Sequence, residues 1–155
     1  MKKVLISFLL AIAIVIPTAT TEAADVPEFR QVAGNYANYI GTQRSHYGFT
    51  SYDYNCDLNV GDALVQQYMQ FLTSYYPFYF IGNDSSDLRR TANSQDIFYF
   101  YFGYNGPTYA PPVTMGKSKK RNSAYCHVAV VIQHYYAQGY ARVKIQVANG
   151  LSYGG

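Results

Sequence analysis

The clearest pattern of apolar and polar positions is the helical spacing in residues 60–75. Seven apolar side chains share one side of a helix there: Val60, Ala63, Leu64, Tyr68, Phe71, Leu72 and Tyr75. Asn59 is suited to cap the helix start, and Pro77 ends the pattern. A weaker helical spacing covers residues 26–40 and ends at Gly41. The sequence therefore predicts two helices, of which the second is the principal one.

Strand patterns follow the predicted helices. Alternating or aromatic-rich segments predict strands over residues 77–81, 96–104, 124–136 and 140–148. Helices followed by strands indicate an α+β fold with a roughly four-stranded antiparallel sheet and the main helix packed on one face. Loops are predicted over 42–59, with a short extended piece at 49–54, and over 105–122; residues 149–155 are predicted to be a frayed tail.

The N-terminus has the three parts of a secretory signal peptide. Two lysines precede residues 4–16, which are apolar apart from one serine and too few to span a bilayer as a helix. Thr21 and Ala23 occupy the small positions of a cleavage signal, so we expect cleavage before Ala24. An uncleaved membrane anchor is the alternative. The prediction is a signal peptide over residues 1–23 and a secreted, periplasmic or extracellular location.

The rest of the chain, residues 24–155, has the length of a single domain. It contains no second apolar stretch of membrane length, so no integral membrane segment is expected after cleavage. The net charge of the whole chain is only +3, and export makes nucleic acid an unexpected partner.

Tyrosine is the unusual residue of this domain. All 18 tyrosines lie in it, and the chain has no tryptophan. Tyrosine packs in half-buried sheets and also suits wet binding surfaces, where its ring stacks on sugar faces or peptide chains. A long loop with glycine, proline and a basic tip follows the strand over 96–104, although a solvated hairpin tip is the simpler interpretation of its charges. The binding residues predicted from these features are Tyr101, Tyr104, Tyr109, Lys117, Lys119, Lys120 and Arg121.

The domain has two cysteines, Cys56 and Cys126. An even count in an exported chain predicts one disulfide, although sequence alone does not show that the two Cα atoms approach. A bridge over a loop of this length would stabilise the fold by roughly 4 kcal/mol in the chain-entropy model.

Cys56 also stands shortly before the principal predicted helix, and His127 lies about 70 residues later on a predicted strand. This layout resembles the papain-like cell-wall peptidases of the NlpC/P60 and CHAP families over about ten residues. The resemblance implies a thiol peptidase or amidase with Cys56 as nucleophile and His127 as base. The context Asn55-Cys56-Asp57-Leu58 departs from the Asp-Cys-Ser-Gly-like motif of those families, and no third catalytic residue is recognisable.

Metal and cofactor sites are not predicted. The three histidines lack a ligand spacing such as His-x-x-x-His, and no Cys-x-x-Cys is present.

The primary prediction is a non-catalytic binding module at the cell envelope or outside the cell, with an envelope polymer, a glycan or an extracellular peptide as partner. The thiol peptidase and a structural subunit of an extracellular assembly are the alternatives.

Overall fold

The computed structural model describes residues 25–44, 48–85, 96–107, 110–114 and 125–154, so the predicted signal peptide lies outside the described residues. In chain order the elements are β1 (Asp25–Pro27), α1 (Arg30–Ala33), a 3₁₀ turn (Gly34–Tyr36), β2 (Ala37–Arg44), β3 (Phe49–Asp57), α2 (Leu58–Tyr75), β4 (Phe78–Ser85), β5 (Asp96–Tyr104), β6 (Val113–Thr114), β7 (Tyr125–Cys126), β8 (Val128–Tyr135), β9 (Tyr140–Ala148) and β10 (Ser152–Gly154).

The large sheet is antiparallel and has six strands in the order β2-β3-β9-β8-β5-β4. This confirms an α+β fold with an antiparallel sheet, but corrects the expectation of four strands. The expected order of helices first and strands afterwards is also corrected, because β2 and β3 precede the main helix and form one side of the sheet. Two small ladders complete the described topology: β1 pairs with β10 in parallel, and β6 pairs with β7.

The predicted helix over residues 26–40 is mostly replaced by other structure. Only Arg30–Ala33 is α-helical, and Gly34 follows with a positive φ of 57°, which ends the helix. The chain then enters β2, whose side chains are almost all exposed beyond Ala37. The first part of the predicted face is buried, as at Phe29 and Ala33, whereas Tyr39 and Ile40 are exposed in β2. The second half of a helix would therefore have no core to pack against, and the helical spacing does not decide the structure there.

The predicted loop over residues 42–59 contains the whole of strand β3. Tyr52, Tyr54 and Cys56 alternate with Asp53 and Asn55, so the strand has an aromatic side and a polar side. Polar residues on one side make a strand resemble a loop in the sequence. The alternation of aromatic and polar residues is the signal that could have identified the whole strand.

Three predicted elements are confirmed with nearly the same bounds: the principal helix, as α2, and the strands β5 and β9. Helix α2 buries Leu64, Val65, Tyr68 and Leu72 against the sheet. Its Gly61 allows close contact, because a Cβ there would lie 3.2 Å from Cβ of Ala141 on β9. None of the described helices is long and apolar enough to cross a membrane.

The predicted frayed tail is instead tied to the start of the domain. Tyr153 of β10 stacks on Tyr52 with ring centroids 3.7 Å apart. Its hydroxyl accepts a hydrogen bond from the backbone N–H of Phe29 (3.0 Å) and shares one with the hydroxyl of Tyr54 (2.6 Å). Nearby, the hydroxyl of Tyr68 donates to the carbonyl of Pro27. Several tyrosines therefore connect the first and the last of the described residues.

Candidate binding surface

The six-stranded sheet has two different faces. Ile132 of β8 lies beside Gly61 of α2, so alternate residues of each strand face the helix. We call this side the inner face. The opposite side, the outer face, carries residues such as Val131 of β8 and Lys144 of β9. Neither described helix packs on the outer face.

Three tyrosine rings form a row along β5 on the outer face. Tyr99 and Tyr101 have nearly parallel rings, with centroids 6.1 Å apart and planes 10° from each other. The third is Tyr79 of β4, which is paired with Gly103. A Cβ at Gly103 would lie only 2.3 Å from Cζ of Tyr79, so this ring rests on the bare glycine. We call Tyr79, Tyr99 and Tyr101 the tyrosine strip.

The strip has a polar and partly solvated character. Tyr79 is 45% exposed, and the other two rings are half-buried. Burial raises the pKa of Tyr99, and the nearby carboxylate of Asp84 adds to this effect. The hydroxyl of Tyr99 therefore keeps its proton and can donate a hydrogen bond.

Ala129 and Val131 of β8 lie beside the strip on the outer face, and they are only 1% and 4% exposed. Val131 lies between Tyr99 and Lys144, its register partners on the two neighbouring strands. In the same way, Ala129 lies between Tyr101 and Gln146. On this face the two buried residues are thus flanked by tyrosines on one side and by a cationic and an amide side chain on the other.

Buried polar groups lie next to Lys144 on the outer face. Asp53 of β3 is only 2% exposed and is paired with Lys144. Within the described ranges, its Oδ1, together with Oδ1 of Asn55 and Nε of Arg142, has no hydrogen-bond partner. Such atoms cost about 1–3 kcal/mol each when they stay unsatisfied. Their concentration on adjacent residues of β3 and β9 marks this part of the outer face as unlike ordinary packing.

Of the predicted binding residues that the structure describes, one lies on this surface and one does not. Tyr101 belongs to the tyrosine strip. Tyr104 is on the inner face, where its ring packs 5.0 Å from that of Phe78 and 6.2 Å from that of His127. The remaining members lie outside the described residues: Tyr109, Lys117, Lys119, Lys120 and Arg121. The prediction did not select Tyr79 or Tyr99, although Tyr99 lies two residues from Tyr101, at the spacing of one strand face.

Comparison with known proteins gives no relative from which a role could be carried over. No family model, no curated protein and no solved structure matches this chain. The function is therefore inferred from the chemistry of the surfaces themselves.

The predicted disulfide is not formed, because both cysteines are free and buried. Cys56 is paired with Ala141 at one end of β9, whereas Cys126 precedes Val128, which is paired with Val147 near the other end. Six residues of strand separate these positions, or roughly 20 Å at the rise of a β-strand. The Cα atoms of a disulfide must come within about 7 Å, so this fold keeps the two sulfurs apart.

Both thiols are held in the protonated form. Burial raises the pKa of Cys56 to about 11, and the carboxylates of Asp57 and Asp62 contribute in the same direction. The Sγ of Cys56 donates a long hydrogen bond to the carbonyl of Ala141, 3.7 Å away. Burial raises the pKa of Cys126 to about 12, against the opposing effect of backbone hydrogen bonds. A nucleophilic cysteine needs the opposite shift.

The structure does not bring Cys56 and His127 together. The backbone N–H of His127 donates to Phe102 (2.9 Å) and its carbonyl accepts from Ala148 (2.8 Å), which places it at the far end of β9 from Cys56. Burial lowers the pKa of its imidazole, partly offset by the backbone of Ala110.

His134 is the histidine that lies near Cys56, because Cys56 on β3 and His134 on β8 are both register partners of Ala141 on β9. Its Nε2 lies 2.9 Å from Oδ1 of Asp62, and its ring stacks on Tyr136 with centroids 5.3 Å apart. Asp62 thus anchors this ring. Among the residues that the structure describes, no group of three or more histidine, cysteine or acidic side chains could hold a metal ion.

Proposed function

We propose that this protein is an exported, non-catalytic binding module that holds an extended glycan chain on the tyrosine strip. The observation that supports this most directly is the row of three tyrosine rings along β5, on the sheet face that carries no described helix. The predicted signal peptide supports a location where envelope glycans are accessible.

Side-chain chemistry favours a sugar chain. Residues on one face of a strand recur about every 6.6 Å, so Tyr99 and Tyr101 offer consecutive stacking positions along an extended ligand. Tyrosine has few rotatable bonds, and its contact area therefore costs little conformational entropy. Gln146 and Lys144, on β9 at the other side of Ala129 and Val131, can bond hydroxyl groups.

The test is co-sedimentation of the exported protein with two insoluble glycans, purified peptidoglycan sacculi and chitin. We expect the parent protein to bind at least one of them. Tyr99→Ala and Tyr101→Ala should each raise the half-saturating concentration about fivefold, from a loss of about 1 kcal/mol per ring. Tyr36→Ala is the matched control, since Tyr36 is 63% exposed and lies at the 3₁₀ turn, away from the strip.

Three outcomes would contradict the proposal. The first is binding that the double variant of Tyr99 and Tyr101 retains in full, and the second is no binding of either glycan by the parent protein. The third is release of soluble fragments from the sacculi that is lost in Cys56→Ala, which would instead support the thiol peptidase.

A further inference from the structure

A second candidate site lies on the inner face, between α2 and the edge strand β4. It is a cavity of about 280 Å³. Its lining from the sheet is Phe80 and Phe102, and its lining from the helix is Gln66, Gln67, Met69, Gln70 and Thr73. We call it the helix–edge groove. It is separate from the tyrosine strip, because the two lie on opposite faces of the sheet.

The lining of the helix–edge groove is apolar at the bottom and uncharged at the rim. Phe102 is fully buried and packs edge-to-face against Phe80, with centroids 5.6 Å apart. Phe80 is nevertheless 47% exposed. The three glutamines present amide donors and acceptors without any net charge. The groove therefore favours an uncharged occupant with an apolar group.

The size of the cavity suits side chains better than a whole small molecule. Small-molecule sites usually enclose about 300–1,000 Å³. A cavity of about 150 Å³ is enough to hold a benzene ring. The observed volume lies just below the first range and above the second, so it can take one or two apolar side chains.

The neighbouring strand can bind the backbone of such an occupant. β4 is the last strand of the sheet and pairs only with β5 in the described part of the chain. A strand added along the free edge of β4, on the side away from β5, would direct alternate side chains to the inner face, next to Phe80 and the cavity. Backbone pairing gives affinity in this mode of recognition, and the adjacent pocket gives specificity.

We propose that the helix–edge groove binds an extended, uncharged peptide segment of another protein, which adds as a strand to β4 and places an apolar side chain against Phe80. A second copy of this chain fits the edge less well. The ladder between β4 and β5 shifts register between Phe80 and Gly82, so the edge has a bulge at Ile81. Bulges twist an edge away from a second preformed sheet, whereas a flexible peptide can follow the twist.

The test uses the isotope-labelled exported protein and one defined probe, an acetylated and amidated heptapeptide of alternating threonine and valine. We expect its titration to shift the backbone amide signals of β4 and the side-chain amide signals of Gln66, Gln67 and Gln70. Gln70→Glu should weaken binding at least about fivefold, because a charge at the rim must lose water on binding. Ser74→Glu is the control, since Ser74 is equally exposed on α2 but outside the lining.

Backbone pairing is tested by the same peptide with alternate amide nitrogens methylated, which should bind at least about tenfold more weakly. The proposal is overturned by equal binding of the methylated peptide, by equal binding to Gln70→Glu, or by shifts confined to β2 or the outer face. It is also overturned by the absence of shifts at millimolar peptide. Concentration-dependent shifts of β4 without peptide would assign this edge to a second copy instead. The variants Tyr99→Ala and Tyr101→Ala should leave the peptide titration unchanged, so this proposal can fail independently of glycan binding.

Discussion

The state of the two thiols gives the sharpest test of the fold. The perturbation is alkylation with iodoacetamide at pH 8, applied to the folded protein and to the protein unfolded in guanidinium chloride. The structure predicts that both cysteines are reduced, separate and buried. The unfolded protein should therefore gain two alkyl groups without any reductant. The folded protein should gain them far more slowly.

The expected retardation follows from the raised pKa values. At pH 8 a thiol with a pKa of 9.0 is about 9% thiolate, whereas one with a pKa of about 11, as for Cys56, is about 0.1%. A thiolate of higher pKa is also a stronger nucleophile, and this raises the rate of alkylation about eightfold against the loss from the smaller thiolate fraction. The net retardation of Cys56 is about tenfold. For Cys126, with a pKa of about 12, the same reasoning gives about fortyfold. Burial of the sulfur slows both reactions further.

The assay is intact-mass spectrometry over time, with peptide mapping to assign each adduct. Unreduced, unfolded protein that gains no adduct would demonstrate a disulfide, which the described fold does not permit. Rapid alkylation of Cys56 in the folded protein would show an activated thiolate and revive the peptidase alternative. Either result would refute the structural reasoning about these residues.

Two further predictions concern stability. Burial raises the pKa of Cys126 from 9.0 to about 12, so the contribution of its neutral thiol to stability is complete below pH 9 and is lost as the pH rises towards 12. At pH 10.5 the free energy of unfolding should be lower by about 2 kcal/mol. The loss is measurable as a lower urea midpoint than at pH 8, and it should be smaller in Cys126→Ala. An unchanged midpoint at pH 10.5 would contradict this. Tyr153→Phe should lower the free energy of unfolding by about 1–3 kcal/mol, because it leaves the hydroxyl of Tyr54 and the N–H of Phe29 without that partner. Tyr36→Phe, at an exposed position, should change it by less than about 0.5 kcal/mol, and equal effects of the two variants would show that the C-terminal contact is not stabilising.

The sequence by itself determined the elements whose pattern is strong along a continuous segment. Helix α2 has a wide apolar stripe, and β9 alternates between partly exposed and buried residues from Tyr140 to Val147. In both cases the repeat of the side chains matches the repeat of the backbone, so local information is sufficient. The α+β class followed from these elements.

The sequence was a poor guide where burial is one-sided or where an edge is exposed. Strand β2 buries little beyond Ala37, so the apolar residues of 26–40 do not indicate its structure. Strand β10 is too short to have a pattern and exists because it pairs with β1 at the other end of the chain. The cysteine count predicted a bridge, but Cys56 on β3 and Cys126 on β7 lie beside opposite ends of β9, which excludes it.

The candidate sites depended almost entirely on tertiary structure. The abundance of tyrosine suggested a binding surface and led to the prediction of Tyr101, which lies on the outer face. Only the register between β4 and β5 places Tyr79 over Gly103 and completes the row. The helix–edge groove likewise combines glutamines of α2 with phenylalanines of two strands. Side-chain periodicity is a local property of the chain, whereas register and strand order join residues that are distant in sequence, and these decide which side chains share a surface.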